Sequence, residues 1–191
     1  GMLLALTGVT HFIPLITALL FADESRIAFA ISSIGLIAIG AIVWYPVRDH
    51  KLDLRLREGF LVVAMSWMIV VLGGTVPMVM LEGHDISWVD AFFESMSGLT
   101  TTGATVLTGL DHMPKGLLMH RALLQWLGGM GIIVLAVAIL PMLRIGGMQL
   151  YRAETPGPMK DSKLTPRITE TAKALWLVYL GLTLLCTMAY I

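Results

Sequence analysis

One short run of small residues has the composition and spacing to bind a metal ion, since residues 100–105 read Thr-Thr-Thr-Gly-Ala-Thr. Backbone carbonyls in an extended run of this kind can replace the hydration shell of an alkali cation. Gly103 allows backbone angles that other residues resist, and the threonine hydroxyls add further oxygens. The run holds no strong ligand for a transition metal, which argues against zinc or redox chemistry. The pattern predicts a cation filter; a polar turn, or small residues that pack two helices, is the alternative.

A short helix is predicted directly before this run. Ser87 has the side chain of an N-cap, and Asp90 three residues later completes an approximate capping box. The helix is expected over residues 88–96, and Gly98 is expected to stop it. The negative end of the helix dipole would then point at whatever occupies the adjoining cavity, which favours a cation.

The elements that must position this run belong to a membrane protein. Of the 191 residues, 57% are apolar and 14% are charged, whereas soluble domains carry about 25% charged residues. The predicted class is an all-α integral membrane protein, and the zero net charge gives no indication of a nucleic-acid partner. Both ends fall inside apolar runs, so the chain is expected to be a fragment. Spans are predicted at residues 3–21, 27–45, 59–81 and 116–143, and from residue 174 onward.

The distribution of basic residues predicts the orientation of these spans. Four of the thirteen lysines and arginines lie in residues 46–58 and six lie in residues 144–173, which leaves three elsewhere. Both connectors are therefore expected to be cytoplasmic. This holds only if the segment 88–105 does not cross, and its roughly eleven helical residues would reach only about 16 Å. The segment is expected to enter and leave the membrane from one face, as a re-entrant loop.

Three stretches resemble a known family. Residues 93–104, Phe-Glu-Ser-Met-Ser-Gly-Leu-Thr-Thr-Thr-Gly-Ala, resemble the first pore loop of the Trk/Ktr/HKT superfamily of potassium transporters. Residues 125–132 and 146–150 are similar to the TrkH branch, and two extra spans before the pore unit also fit that branch. The resemblance implies potassium coordination by Thr101 and Thr102, with Gly103 beside them.

The same resemblance implies an organisation and a function. Residues 1–57 would hold two leading spans and a cytoplasmic connector. Residues 58–145 would form the first helix–pore loop–helix repeat, with its filter at 100–105. Residues 146–191 would hold a cytoplasmic connector and the first helix of a truncated second repeat. The complete subunit would carry four such repeats. It would take up potassium across the bacterial inner membrane as a multi-pass protein, as a homodimer with a cytoplasmic nucleotide-binding regulatory subunit. No organic cofactor and no enzymatic activity are implied.

Two other functions stay open at this point. The filter has a single glycine and no tyrosine, which leaves a less selective potassium and sodium transporter of the same superfamily as an alternative. Residues 95–98, Ser-Met-Ser-Gly, invite comparison with the nucleophile motif of an intramembrane serine protease. That motif lacks its first glycine, and no histidine lies in a convincing partner position.

Several single residues have two interpretations each. Glu94 either attracts cations at the pore mouth or braces the loop, and bracing is favoured. Arg121 is expected to pair with an acidic loop residue rather than to repel cations. The glycines within residues 128–131 are expected to allow close helix packing rather than to form a hinge. The histidines lack metal-ligand spacing: 84, 112 and 120 share the outer side, and 11 and 50 are isolated.

Overall fold

Helices make up the secondary structure of the described part of the chain. The computed structural model describes residues 1–48, 56–142 and 164–190. Within these ranges no strand occurs, and two short 3-10 turns, Tyr45–Val47 and Leu110–His112, accompany the helices. The helices are α1 (Met2–Thr10), α2 (Phe12–Leu20), α3 (Ser25–Trp44), α4 (Leu56–Val79), α5 (Trp88–Leu99), α6 (Lys115–Met142) and α7 (Leu164–Tyr190).

Four stretches of helix are long and apolar enough to cross a bilayer. They are Met2–Leu20, Ser25–Trp44, Leu61–Val79 and Glu170–Tyr190. These segments agree closely with four of the spans predicted from the sequence. The fourth predicted span, residues 116–143, corresponds to α6, whose 28 residues extend about 42 Å. The protein is therefore a multi-pass helical membrane protein.

The first span contains a one-residue break that the sequence analysis did not predict. His11 separates α1 from α2, although its backbone angles, φ −67° and ψ −14°, stay in the right-handed region. Pro14 has no N–H to donate to the Thr10 carbonyl, which weakens the hydrogen-bond ladder at this point. Hydrogen bonds from His11 N to the Thr7 carbonyl and from Leu15 N to the His11 carbonyl carry the helix across the break.

The last helix begins earlier than expected. α7 starts at Leu164, ten residues before the span predicted from residue 174, so it includes a polar first turn. The connector expected over residues 144–173 lies outside the described residues up to position 163, as does the charged connector at 49–55.

The chain divides into two compact units, residues 1–128 and residues 129–191. In the first unit, α1 and α2 pack on α3, and α4 packs on α5. Small residues allow the close contacts: the Ser33 hydroxyl donates to the Gly8 carbonyl at 2.6 Å. The core between α4, α5 and α6 contains Val71, Met78, Leu81, Ala91, Leu99, Leu117 and Leu124.

One carboxylate links the turn between α2 and α3 to the start of α6. Asp23 Oδ1 accepts at 2.9 Å from the N–H of Ser25, the first residue of α3. Its other oxygen, Oδ2, accepts from Gly116 N at 2.9 Å in the first turn of α6. Nearby, His84 Nδ1 lies 3.4 Å from Glu24 Oε1. The loop after α4 and the beginning of α6 therefore both contact the turn between α2 and α3.

Candidate functional site

The helix before the Thr/Gly run begins as the sequence predicts. Ser87 has extended backbone angles, φ −65° and ψ 157°, and its Oγ accepts from Asp90 N at 3.1 Å. The Ser87 hydroxyl donates in turn to Asp90 Oδ2 at 2.7 Å. The N-cap is confirmed, and Asp90 in the first turn also complements the positive end of the helix dipole. With 12 residues α5 is about 18 Å long, well short of a bilayer crossing.

The end of α5 corrects one expectation. Gly98 was expected to stop the helix, but it lies inside α5, which ends at Leu99. Its lack of a side chain serves packing instead: a Cβ at Gly98 would lie 3.2 Å from Leu124 Cβ of α6. The left-handed backbone that ends the helix falls at Thr101, with φ 58°, and again at Gly103, with φ 73°.

Hydrogen bonds fold the chain back over the end of α5 immediately after the helix. Thr100 N donates to the Met96 carbonyl at 2.9 Å, and Thr101 N donates to the Gly98 carbonyl at 3.0 Å. The next two amides share a single acceptor. The N–H groups of residues 102 and 103 both donate to the Ser97 carbonyl, at 3.0 and 3.3 Å.

The direction of the carbonyls follows from this pattern. In a trans peptide the carbonyl of one residue points opposite to the N–H of the next. Because the amides of Thr102 and Gly103 point at the Ser97 carbonyl, the carbonyls of Thr101 and Thr102 point away from α5. Residues 101–105 are all exposed in this chain, so these two oxygens lie on an open face. The Ala104 carbonyl differs, since it turns inward to accept from the Ser97 hydroxyl at 2.6 Å.

Threonine hydroxyls stabilise the same turn. Thr100 Oγ1 donates to the Met96 carbonyl at 2.8 Å and lies 2.9 Å from Thr102 Oγ1. The Thr102 hydroxyl is thus held by a neighbour, while the backbone of Thr101 and Gly103 supplies the curvature. The three residues singled out from the sequence, Thr101, Thr102 and Gly103, occupy one continuous exposed turn.

A buried carboxylate holds the segment that follows the turn. Glu94 is 1% exposed, and its Oε1 accepts from Thr105 Oγ1 at 2.6 Å, from Val106 N at 2.7 Å and from Leu107 N at 3.4 Å. Its Oε2 accepts from Arg121 Nε at 2.7 Å. The bracing interpretation of Glu94 is confirmed. The partner of Arg121 is this helix carboxylate, not the loop acid that the sequence suggested.

A glycine of α6 brings that helix against the end of α5. A Cβ at Gly128 would collide with the Leu99 carbonyl oxygen, so no other residue fits there without a shift of the backbone. On the other side, a Cβ at Gly74 of α4 would lie 3.2 Å from Ser95 Oγ. The close-packing interpretation is confirmed for Gly128. The turn thus rests on a helix that its neighbours hold on two sides.

The histidines form a contact that the sequence did not reveal. His11, interpreted as isolated, lies against His120, with ring centroids 5.1 Å apart and both side chains buried. His120 Nε2 donates to the Gly74 carbonyl at 2.9 Å, which joins α6 to α4. Among the described residues no group of three or more His, Cys, Asp or Glu side chains could hold a metal ion. His50 lies outside those residues.

Two features of the site escaped sequence reasoning. The first is the positive φ of Thr101. A β-branched residue rarely adopts this conformation, and no sequence pattern indicates it. The second is the acceptor role of the Ser97 carbonyl for two successive amides. The second feature joins backbone groups only, so no pattern of side chains indicates it.

Comparison with protein families and known proteins gives consistent results. Residues 25–191 match the family model described as "TrkH: Cation transport protein". The chain is 55% identical over 190 residues to the "Trk system potassium uptake protein TrkH" of Vibrio parahaemolyticus. It is 52% identical over 189 residues to the protein of the same name from Escherichia coli K12. These matches cover 100% and 99% of the chain.

A solved structure is similar as well. The chain matches the "Crystal Structure of the Potassium Transporter TrkH from Vibrio parahaemolyticus" with a TM-score of 0.84 and 48% identity, over 100% of this chain and 37% of the other. The chain spans 39% of the length of the two curated relatives.

Proposed function

The chain belongs to the TrkH family of cation transport proteins, and we propose that it forms the first pore-loop repeat, with its leading spans, of a potassium uptake protein. The carbonyls of Thr101 and Thr102 carry the proposal, because both point away from α5 on an exposed face. Together with the backbone of Gly103 they would line one quarter of a potassium filter. The similar Vibrio and Escherichia proteins are both named as potassium uptake proteins and not as enzymes.

The electrostatics of α5 also favour a cation. The C-terminal end of the helix carries the negative end of its dipole and lies directly beside the turn. Glu94, which binds the segment after the turn, is paired with Arg121 at 2.7 Å, so it adds no free negative charge there. The turn therefore presents oxygen dipoles and not a fixed anion. This is the chemistry that suits a weakly held monovalent ion better than a divalent ion.

The contacts at the turn between α2 and α3 support a re-entrant path for the segment between α4 and α6. His84, just after α4, lies 3.4 Å from Glu24, and Gly116, in the first turn of α6, lies 2.9 Å from Asp23. Both ends of residues 85–115 are thus anchored at the short turn between α2 and α3, and one short turn belongs to one side of a membrane. In the proposed organisation, residues 1–57 hold the leading spans, residues 58–145 the first repeat, and residues 146–191 the start of a second.

The proposal extends to assembly and location. We assign the complete protein to the bacterial inner membrane, as a homodimer that works with a cytoplasmic nucleotide-binding regulatory subunit. The family resemblance carries this part. Cross-linking of the full-length protein in native membranes tests the dimer, and loss of regulated uptake on removal of the subunit tests the partner.

The test of transport uses the full-length gene in a host that lacks its own potassium uptake systems. Expression should restore potassium uptake well above that of the empty vector, with little sodium uptake. Equal potassium and sodium uptake would favour the less selective transporter, which the single filter glycine keeps in consideration. Verified membrane expression without potassium uptake would contradict the proposed function.

A further inference from the structure

The segment 102–107 is held to one face of α5 at two successive levels. Ser97 binds the amides of residues 102 and 103 and the carbonyl of Ala104. Glu94, three residues earlier on the same helix face, binds the hydroxyl of Thr105 and the amides of residues 106 and 107. The position of Glu94 therefore determines where the chain runs as it leaves the turn.

The second oxygen of Glu94 ties this arrangement to another helix. Arg121 Nε of α6 donates to Glu94 Oε2 at 2.7 Å, and the two side chains are 13% and 0% exposed. Hydrogen bonds between ionised groups are shorter and stronger than neutral ones, and a carboxylate buried this deeply depends on its donors. A displacement of α6 would therefore act on Glu94, and through it on residues 105–107.

The backbones of α5 and α6 are in close contact near the ion pair, which leaves the two helices little freedom to move apart. A Cβ at Gly98 would lie 3.7 Å from the Arg121 carbonyl oxygen, and one at Gly128 would collide with the Leu99 carbonyl oxygen. The ion pair is thus a side-chain link between two helices already in backbone contact. Its directional bonds fix the orientation of the loop more than they fix the separation of the helices.

We propose that Glu94 and Arg121 are positioning residues that set the ion preference of the filter by holding its exit segment. The proposal rests on the proposed function, since ion preference has meaning only in a transporter. Neither residue need contact the ion. Glu94 is buried behind the loop, and its Oε1 is directed at the donors of Thr105, Val106 and Leu107.

The experiment compares variants of the full-length protein by the ratio of potassium to sodium uptake, normalised to protein in the membrane. Glu94→Gln and Arg121→Gln should each lower the ratio by about threefold or more, within the range for directly coupled neighbours. The double variant should fall short of the product of the two single effects. Arg121→Lys, which restores the charge, should recover part of the ratio. Glu82→Gln serves as the matched control, because Glu82 is an exposed loop carboxylate.

Thr105→Val keeps the test informative should a charge variant fail to reach the membrane. It removes a hydroxyl at an exposed position that donates to Glu94 Oε1 and accepts from Leu107 N, so folding should be preserved while the ratio shifts in the same direction. Reduced protein with an unchanged ratio in all variants would mean that the pair is only structural, and would overturn the proposal. If Gly103→Ser shifts the ratio and none of the Glu94 variants does, this inference fails alone. If the unmodified protein moves no potassium, the proposed function fails.

Discussion

Two residues of the turn adopt a left-handed backbone, and only one of them is a glycine. At Gly103, φ 73° carries no penalty, whereas φ 58° at the β-branched Thr101 costs roughly 1–2 kcal/mol. The two amides that follow Thr101 share the Ser97 carbonyl, and this pairing offsets the strain. Sequence reasoning identified Gly103 because glycine signals such angles. It could not identify the conformation of Thr101, which only the completed hydrogen-bond pattern imposes.

Gly103 offers the most direct test of the filter. A Cβ there would meet no atom within 4 Å, so a substituted side chain would enter the open face without disturbing the packing. It would strain the backbone, because φ at Gly103 is 73°. We expect Gly103→Ser and Gly103→Asp to lower potassium uptake and to alter the ratio of potassium to sodium or rubidium uptake, while membrane insertion is retained. Gly35→Ser provides the control, because Gly35 lies in α3 and also has open space beside it. An unchanged rate and ratio in Gly103→Asp would support the alternative that residues 100–105 are a simple polar turn.

Thr102 separates the contribution of a side chain from that of the backbone. Its hydroxyl lies 2.9 Å from Thr100 Oγ1, while its amide donates to the Ser97 carbonyl. Thr102→Val keeps the shape and the amide but removes the hydroxyl. If carbonyls dominate coordination, we expect a smaller loss of uptake than for Gly103→Ser, measured as the initial rate of potassium uptake. A larger loss would show that the hydroxyl itself contacts the ion.

The short helix α5 shows what local sequence determines and what it does not. Its start at Ser87 was predictable, because an N-cap and its acidic partner act within one turn. Its end was not, because Gly98 is needed for the contact with Leu124 of α6 and not for a left-handed cap. A glycine near a helix end can serve either to end the helix or to allow close packing. Which role Gly98 has depends on α6, a helix more than 15 residues away.

Gly128 provides a prediction about helix packing. Because a Cβ there would collide with the Leu99 carbonyl oxygen, Gly128→Ala should push α6 away from α5. Overpacking against backbone costs about 1–3 kcal/mol, so we expect a lower unfolding temperature in detergent and less folded protein. Gly35→Ala is the control: its space is open, and alanine favours a helix by up to about 1 kcal/mol. Equal stability of the two variants would contradict the packing role of Gly128.

At the scale of the whole molecule, apolar composition and the length of the apolar runs predicted the spans, and the structure describes helices at each of those positions. The contacts between the leading spans and the pore unit were not predictable. Asp23 reaches Gly116 across 93 positions of sequence, and His11 contacts His120 across a similar separation. No periodicity encodes such pairs, because they depend on how whole helices are arranged. These contacts give the two leading spans a structural role in holding the beginning of α6.

The same contacts make the path of the chain through the membrane testable with single cysteines. Cys186 is the one cysteine of the chain, so Cys186→Ser gives a background free of thiols in these residues. Asp85 and Asp111 lie on either side of α5 and its turn, and both are exposed. In intact cells expressing the full-length protein, a membrane-impermeant maleimide should modify Asp85→Cys and Asp111→Cys equally. Lys51→Cys, in the connector outside the described residues, should react only after permeabilisation.

This outcome follows from the anchoring of both ends of the loop. With Glu24 beside His84 and Asp23 bonded to Gly116, we expect the chain after α4 and the chain before α6 to share one side of the membrane. The basic residues of the two connectors predict that this side faces away from the cytoplasm. Labelling of positions 85 and 111 from opposite sides would mean that residues 88–109 cross the bilayer. The Thr101 and Thr102 carbonyls, which point away from α5, would then face lipid without donors, which costs several kcal/mol for each such group. A re-entrant loop avoids that cost only if protein or water surrounds the turn, and the proposed cation pathway, lined by the Thr101 and Thr102 carbonyls, would provide this environment.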